Sequence, residues 1–132
     1  MKAVTIEFPS ILDNLRIVES FIDQHREDYH ITDDLYGNIL IALTEAVNNA
    51  IQHGNRNDKD KVVRLTCKPG NAELSFTVQD QGAGFDYNDL PDPTSEENLL
   101  KPDGRGVFLM KQLSDVLRFE DQGRKVEMVF YL

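Results

Sequence analysis

The sequence predicts an α/β chain of the two-layer α+β kind, a mostly antiparallel sheet with helices on one face. Three observations predict it. Apolar residues alternate with polar ones near the start, the middle and the end of the chain; apolar residues at helical spacing fill the stretches between; and the middle strands follow one another as a hairpin. With 132 residues, 40% of them hydrophobic, the chain holds enough apolar matter for one core, so a single domain over residues 1–132 is expected.

Val4, Ile6 and Phe8 alternate with Thr5 and Glu7, which predicts a first strand ending at Pro9. Ser10 stands where an N-cap belongs, with Asp13 three positions on. Ile11, Leu15, Val18, Phe21 and Ile22 keep a helical spacing that fades near Tyr29. Thr32 is placed to cap a second helix, with Asp33 and Asp34 in its first turn, where the helix dipole favours negative charge. Gly54 is the expected stop of that helix. Gly37, in its interior, is unfavourable by about 1 kcal/mol and suggests close packing. The polar run Gly54-Asn55-Arg56-Asn57-Asp58-Lys59-Asp60 reads as a surface loop. Val63, Leu65 and Cys67, then Leu74, Phe76 and Val78, alternate on either side of a Pro69-Gly70-Asn71 turn, so residues 61–79 form a hairpin in which Cys67 is half-buried. Residues 80–103 lose periodicity and fill with Gly, Pro, Asp and Asn, and a connection of that length in a small domain is usually functional. A helix is expected over residues 104–114 and a last pair of strands over residues 116–120 and 124–131.

Fourteen Lys and Arg stand against 23 Asp and Glu, a net charge of −9. That balance removes the counterion release that drives most nucleic-acid binding, so nucleic acids and anionic membranes are disfavoured as partners. No run approaches the roughly 20 apolar residues of a membrane helix. The lone Cys67 allows no internal disulfide, and His25, His30 and His53 lack the spacing of a zinc site. A cytoplasmic setting is the expectation.

Three segments hold candidate chemistry. On the second helix Ile39, Leu43, Ala46, Val47 and Ala50 share the core face. Glu45, Asn49 and Gln52 share a neighbouring face with His53 at its edge. A carboxylate one turn from a carboxamide suits a base beside a hard-metal ligand, and equally suits a solvated helix face; His53 at a helix end suits a dipole partner as well as a site residue. Asp80-Gln81-Gly82-Ala83-Gly84 follows an apolar strand, which suits backbone approach to a ligand or a tight turn with an Asx bond. Gly104-Arg105-Gly106 opens a helix whose free N–H groups suit phosphate, with Lys101 near enough to add positive charge. Arg105 fits phosphate, a protein partner or plain solvent. No GxxxxGK[ST] loop and neither the HRD nor the DFG kinase signature occurs.

Taken in order, Glu45-Ala46-Val47-Asn48-Asn49-Ala50-Ile51-Gln52-His53-Gly54, Asp80-Gln81-Gly82-Ala83-Gly84 and Gly104-Arg105-Gly106-Val107-Phe108-Leu109 resemble the N, G1 and G2 boxes of the Bergerat ATP-binding superfamily. The likeness is nearest to small bacterial anti-sigma factors that are also serine-protein kinases, of the sporulation and general-stress type, and it covers nearly the whole chain. The resemblance implies ATP and Mg²⁺ as ligands. It implies Glu45 as the general base toward a serine hydroxyl, Asn49 as the Mg²⁺ ligand and Asp80 as acceptor from the adenine amino group. It places Gly82 and Gly84 beside the nucleotide, Gly104 and Gly106 at the phosphate end, with His53, Arg105 and Val107 in the same boxes, and a lid at about residues 85–103 that carries Lys101, so that His53, Lys101, Arg105 and Val107 join the nucleotide-binding set. Its implied partners are an anti-sigma-factor antagonist and a sigma factor, and its implied assembly is a homodimer. A non-catalytic, nucleotide-gated protein-binding module is the alternative. One departure stands out: where these kinases place Gly-Thr near the last strand, this chain has Gly123-Arg124.

Overall fold

The computed structural model describes residues 2–84 and 102–132, with the backbone alone for residues 102–105. Its strands form one five-stranded antiparallel sheet in the order β1-β2-β3-β5-β4. They are β1 (Val4–Pro9), β2 (Val62–Gly70), β3 (Glu73–Gln79), β4 (Val116–Glu120) and β5 (Lys125–Tyr131). The α-helices among the described residues are α1 (Leu15–Arg26), α2 (Asp33–Asn49) and α3 (Pro102–Leu113).

Period-two alternation decides which face the helices cover. Val63, Leu65 and Cys67 of β2, Leu74, Phe76 and Val78 of β3, and Val126, Met128 and Phe130 of β5 point into one core with Val18, Phe21, Ile22, Ile39, Leu43 and Val47 of the helices. Thr5, Glu7, Arg64, Thr66, Thr77, Lys125 and Glu127 line the opposite face, which is polar and open. The expected two-layer, antiparallel architecture is the one observed.

The helices are fixed locally. Thr32 caps α2 as expected, its Oγ1 accepting the Leu35 N–H at 3.3 Å. At the α1–α2 corner Arg26 pairs with Asp33 and lies over the Tyr36 ring, 4.4 Å from its centroid. A hydrogen bond to Asp23 pushes the Tyr36 hydroxyl up to about 12. Within α1, His25 Nδ1 donates to the Phe21 carbonyl at 2.7 Å and its ring stacks on Tyr29.

The chain departs from its sequence pattern in several places. Ser10 does not cap a helix: a 3₁₀ turn over Leu12–Asn14 leads into α1, and Ser10 is fully buried with its Oγ donating to the Lys61 carbonyl at 2.7 Å. Helix α1 ends at Arg26, short of Tyr29, and His30 takes a positive φ of 53° in the turn that follows. Pro69 belongs to β2 rather than to the turn, and the reversal falls at Asn71-Ala72, between paired Gly70 and Glu73. Pro69 lies past the last β2 residue that β1 pairs, Cys67, where a missing N–H is tolerated. Cys67 is wholly buried, not half-buried, and desolvation pushes its thiol up to about 12.

Gly37 also corrects an expectation. A Cβ built there meets nothing within 4 Å, so no neighbour requires the missing side chain. Gly37→Ala should therefore stabilise the fold by about 1 kcal/mol through helix propensity, as read from the midpoint of urea unfolding, whereas a steric role for Gly37 predicts a loss.

Candidate nucleotide site

The site begins where α2 ends. After Asn49 the helix widens into a π-helical turn over Ala50–Gly54, closed by the Asn55 N–H bonding to the Ala50 carbonyl at 2.8 Å. Such turns recur where a helix has to present side chains at an interruption. Here the widened turn delivers His53 and Gly54 to the mouth of a cavity and sends Asn55 inward.

Asn55 was expected in a surface loop and is instead only 1% exposed. Its Nδ2 donates to Ser10 Oγ at 2.7 Å and to the Val62 carbonyl at 3.0 Å, and its Oδ1 accepts the Gln81 N–H at 2.7 Å. One amide thus joins the β1–α1 corner, the start of β2 and the turn after β3. Sequence reading missed this because every partner but Val62 is distant in the chain. The only local signal was Asn directly after the helix-stopping glycine.

The turn after β3 is tied on all sides. Asp80 Oδ1 accepts the Gly82 N–H at 2.8 Å, an Asx-type closure. The Asp80 N–H bonds to the Arg124 carbonyl at 2.8 Å, and Gln81 Oε1 accepts the Val62 N–H at 2.8 Å. Glycine is required at three points around it. A Cβ on Gly54 would strike the Asp80 carboxylate, and one on Gly82 would strike the Gly54 carbonyl oxygen. Gly84 has a φ of +84° and lies against the Gln122 carbonyl.

These elements enclose a cavity of about 330 Å³. Ala46, Ala50, Val78, Met110, Phe119 and Val126 give it apolar walls, and Asn49, His53, Asp80 and Arg124 supply polar groups. A mostly apolar slot with few convergent polar groups is the usual make-up of a small-molecule site. Among the described residues Asp80 is the one carboxylate in the lining. Burial holds it above the ordinary carboxylate value, opposed by the Gly82 hydrogen bond and by the charges of Arg124 and Lys61.

Of the residues singled out from the sequence, Asn49, His53, Asp80, Gly84 and Val107 line this cavity, and Gly82 lies in the turn at its edge. Glu45 stands outside the lining, one helical turn before Asn49. A Cβ on buried Gly106 would come within 3.1 Å of both Glu45 Oε2 and Asn49 Nδ2, so the start of α3 packs directly on that pair. Gly104 and Arg105 fall in the first turn of α3, which begins at Pro102. Lys101 lies outside the described residues, and the lid expected at 85–103 falls almost wholly outside them. Among the described residues no cluster of three His, Cys, Asp or Glu could hold a metal, and the hard side-chain oxygens in the cavity lining are those of the Asn49 amide and the Asp80 carboxylate. That fits Mg²⁺, which is commonly held by one or two protein oxygens together with substrate phosphates.

A family model described as a histidine kinase-like ATPase domain matches residues 8–130. The chain belongs to this family. Among its relatives, the serine-protein kinase RsbW of Bacillus licheniformis is 35% identical over 101 residues, 71% of this chain and 63% of that protein. The anti-sigma F factor of Clostridium perfringens is 35% identical over 96 residues, 68% of each chain. This chain thus spans less than two thirds of the first relative's length. The RsbU and RsbW domains of a Mycobacterium tuberculosis protein superpose with a TM-score of 0.71 at 14% identity, covering 100% of this chain and 32% of that one, a likeness of fold.

Two predictions follow the geometry of this histidine kinase-like ATPase domain. Asn55→Ala leaves the Gln81 N–H and the Val62 carbonyl without their amide partner, and should destabilise the protein by about 3 kcal/mol in denaturant titration. Asp80 titrates higher in the folded chain than in the unfolded one, so its buried charge lowers stability above the folded value, and the loss is relieved as pH falls. Asp80→Asn keeps the oxygen that accepts the Gly82 N–H and removes the charge. Its melting temperature should exceed wild type at pH 7, with the gap closing below the ordinary carboxylate range.

Proposed function

We propose that this chain binds ATP with Mg²⁺ and transfers its γ-phosphoryl group to a serine or threonine hydroxyl of a protein partner. The observation that carries the reading is the convergence of three separated segments on one place: Asn49 and His53, Asp80 and Gly84, and Val107 line a single cavity, with Glu45 and Gly106 packed at its side. Membership of the ATPase family supports the nucleotide, and relatives named as serine-protein kinase and anti-sigma factor support the protein substrate.

The residues divide the work by chemistry. The Asp80 carboxylate accepts a hydrogen bond from the adenine amino group, while Gly82 and Gly84 keep side chains out of its way. Asn49 would hold Mg²⁺ through its amide oxygen, which would supply neutralisation of phosphate charge there. Gly104 and Gly106, with Arg105 and Val107 next to them in the chain and Lys101 as a further cation shortly before, form the phosphate end, since the N-terminal N–H groups of a helix favour anions. Glu45 takes the proton of the incoming hydroxyl as its oxygen bonds to phosphorus and the bond to the departing ADP oxygen breaks. The partner that fits is an anti-sigma-factor antagonist, with a sigma factor as the second, and the proposed assembly is a homodimer. The setting that fits is the cytoplasm: the net charge of −9 disfavours anionic surfaces, and no described helix is long and apolar enough to cross a membrane.

Calorimetry and labelled-phosphate transfer test this together. Wild type should bind ATP saturably in Mg²⁺ and label one small protein in an extract of its source. Glu45→Gln should bind ATP but transfer phosphate roughly 10² to 10⁴ times more slowly. Asn49→Ala should weaken Mg²⁺-dependent binding itself. ATP binding without any Glu45-dependent transfer leaves the nucleotide-gated binding module in place of the kinase.

A further inference from the structure

Arg124, which follows Gly123 just before β5, has a side chain engaged at several points at once. Its Nε donates to the Gly82 carbonyl at 2.7 Å and its Nη2 to the Ala83 carbonyl at 3.2 Å. On the other side Nη1 reaches Gln122 Oε1 at 3.2 Å and the Asp121 carbonyl at 3.4 Å. The backbone carbonyl of the same residue takes the Asp80 N–H. One residue therefore holds the turn after β3 at both ends, the Asp80 N–H through its main chain and the adjacent Gly82 and Ala83 carbonyls through its guanidinium.

We infer that Arg124 is the positioning residue for the base end of the cavity, clamping the Asp80–Gly84 turn to the β4–β5 turn so that the Asp80 carboxylate and the glycine backbone face the ligand as one rigid unit. This rests on the nucleotide reading above and adds to it a residue that reading did not use. The clamp needs arginine in particular. Guanidinium is a planar fork of five donors that can serve adjacent carbonyls at fixed angles, whereas an ammonium is a point charge and a hydroxyl has one donor on a short arm. The side chain is 28% exposed and lines the cavity wall, and its bond to the Gly82 carbonyl is part-buried, where competition from water is weakest. Apart from the guanidinium, the two turns are joined through backbone alone, by the Asp80 N–H on the Arg124 carbonyl at 2.8 Å and by Gly84 against the Gln122 carbonyl, and neither of these holds the Gly82 and Ala83 carbonyls.

The clamp also sets the charge around Asp80. Arg124 and Asp121 face it from the β4–β5 turn, Lys61 from the approach to β2, and His53 from the end of α2 across the same cavity. Arg124 and Lys61 favour the ionised carboxylate against the effect of burial and of Asp121. A base amino group needs an acceptor there, so removing Arg124 should make binding fail at a higher pH on the acid side.

Arg124→Thr and Arg124→Lys in the full chain test the assignment, with ATP–Mg²⁺ affinity followed by calorimetry across mildly acid to neutral pH and the Gly82 amide followed by hydrogen exchange without nucleotide. Arg124→Thr should weaken ATP binding by roughly tenfold or more, move its acid limb upward in pH and speed Gly82 exchange. Arg124→Lys should leave the acid limb near wild type, because the charge is kept, yet still weaken binding and speed exchange, because one ammonium cannot hold both carbonyls. A merely structural arginine would shift stability in both variants and leave the acid limb alone. Wild-type affinity, pH profile and Gly82 exchange in Arg124→Thr overturn the inference while leaving the nucleotide reading intact. A wild-type protein that binds no ATP sinks that reading, and the Gly82 exchange rate then decides the clamp by itself.

Discussion

Two stretches of bare backbone meet beneath the cavity, and much of the site follows from their contact. The end of α2 and the turn after β3 approach so closely that neither Gly54 nor Gly82 has room for a Cβ. Glycine at both positions permits the approach but contributes nothing to hold it, since it adds chain entropy and no side-chain contact. The holding is done by neighbours. Asn55 joins the two from within, Arg124 fixes the turn from the far side, and Ser10 is buried to give Asn55 a partner. A contact made of backbone thus accounts for a set of polar side chains around it.

The open face of the sheet shows what an unconstrained surface of this chain looks like. Thr5 bonds Thr66 across β1 and β2, Arg64 pairs with Glu7, and Arg118 reaches Glu127, whose carboxyl is held below its ordinary value chiefly by the Ser75 hydroxyl. Exposed pairs of this kind contribute little each and tolerate exchange. The cavity is the reverse case: a desolvated carboxylate, residues at positive φ and close-packed glycines are concentrated in one corner, where each is individually unfavourable and is retained through its neighbours.

Local chemistry made most of the architecture readable from the sequence. Thr32 at its cap, the alternation from Val63 to Val78 and the final strands depend on neighbours a few residues apart, so pattern alone recovers them. The glycine boxes were readable for the same reason, as each needs its residues adjacent. What escaped was set at long range. Ser10 looks like a cap because serine caps helices, and only the arrival of Lys61 and Asn55 from across the fold converts it into a buried link. Pro69 looks like a turn residue until the extent of β1 shows where the ladder leaves a place for it. Gly37 suggested packing that the fold does not supply. Arg124 was visible only as a departure, and its use became apparent once the Gly82 carbonyl stood 2.7 Å from its Nε.

The π-helical turn at Ala50–Gly54 carries one consequence for how this chain can vary. A turn closed five residues apart holds one more residue than an α-helical turn, and each residue of a helix rotates the chain by about 100°. The extra residue is therefore a phase setting: it decides which compass direction His53, Gly54 and Asn55 take when α2 gives out. Substitutions along the turn alter what is presented, but a single deletion there would re-phase the helix end, swinging Asn55 off Ser10 and Gln81 while leaving α1, the first turns of α2 and the sheet as they were. In this segment the number of residues is constrained as tightly as their identity, and changes of length, tolerated in ordinary surface loops, are excluded at a point that the sequence marks as nothing more than the end of a helix.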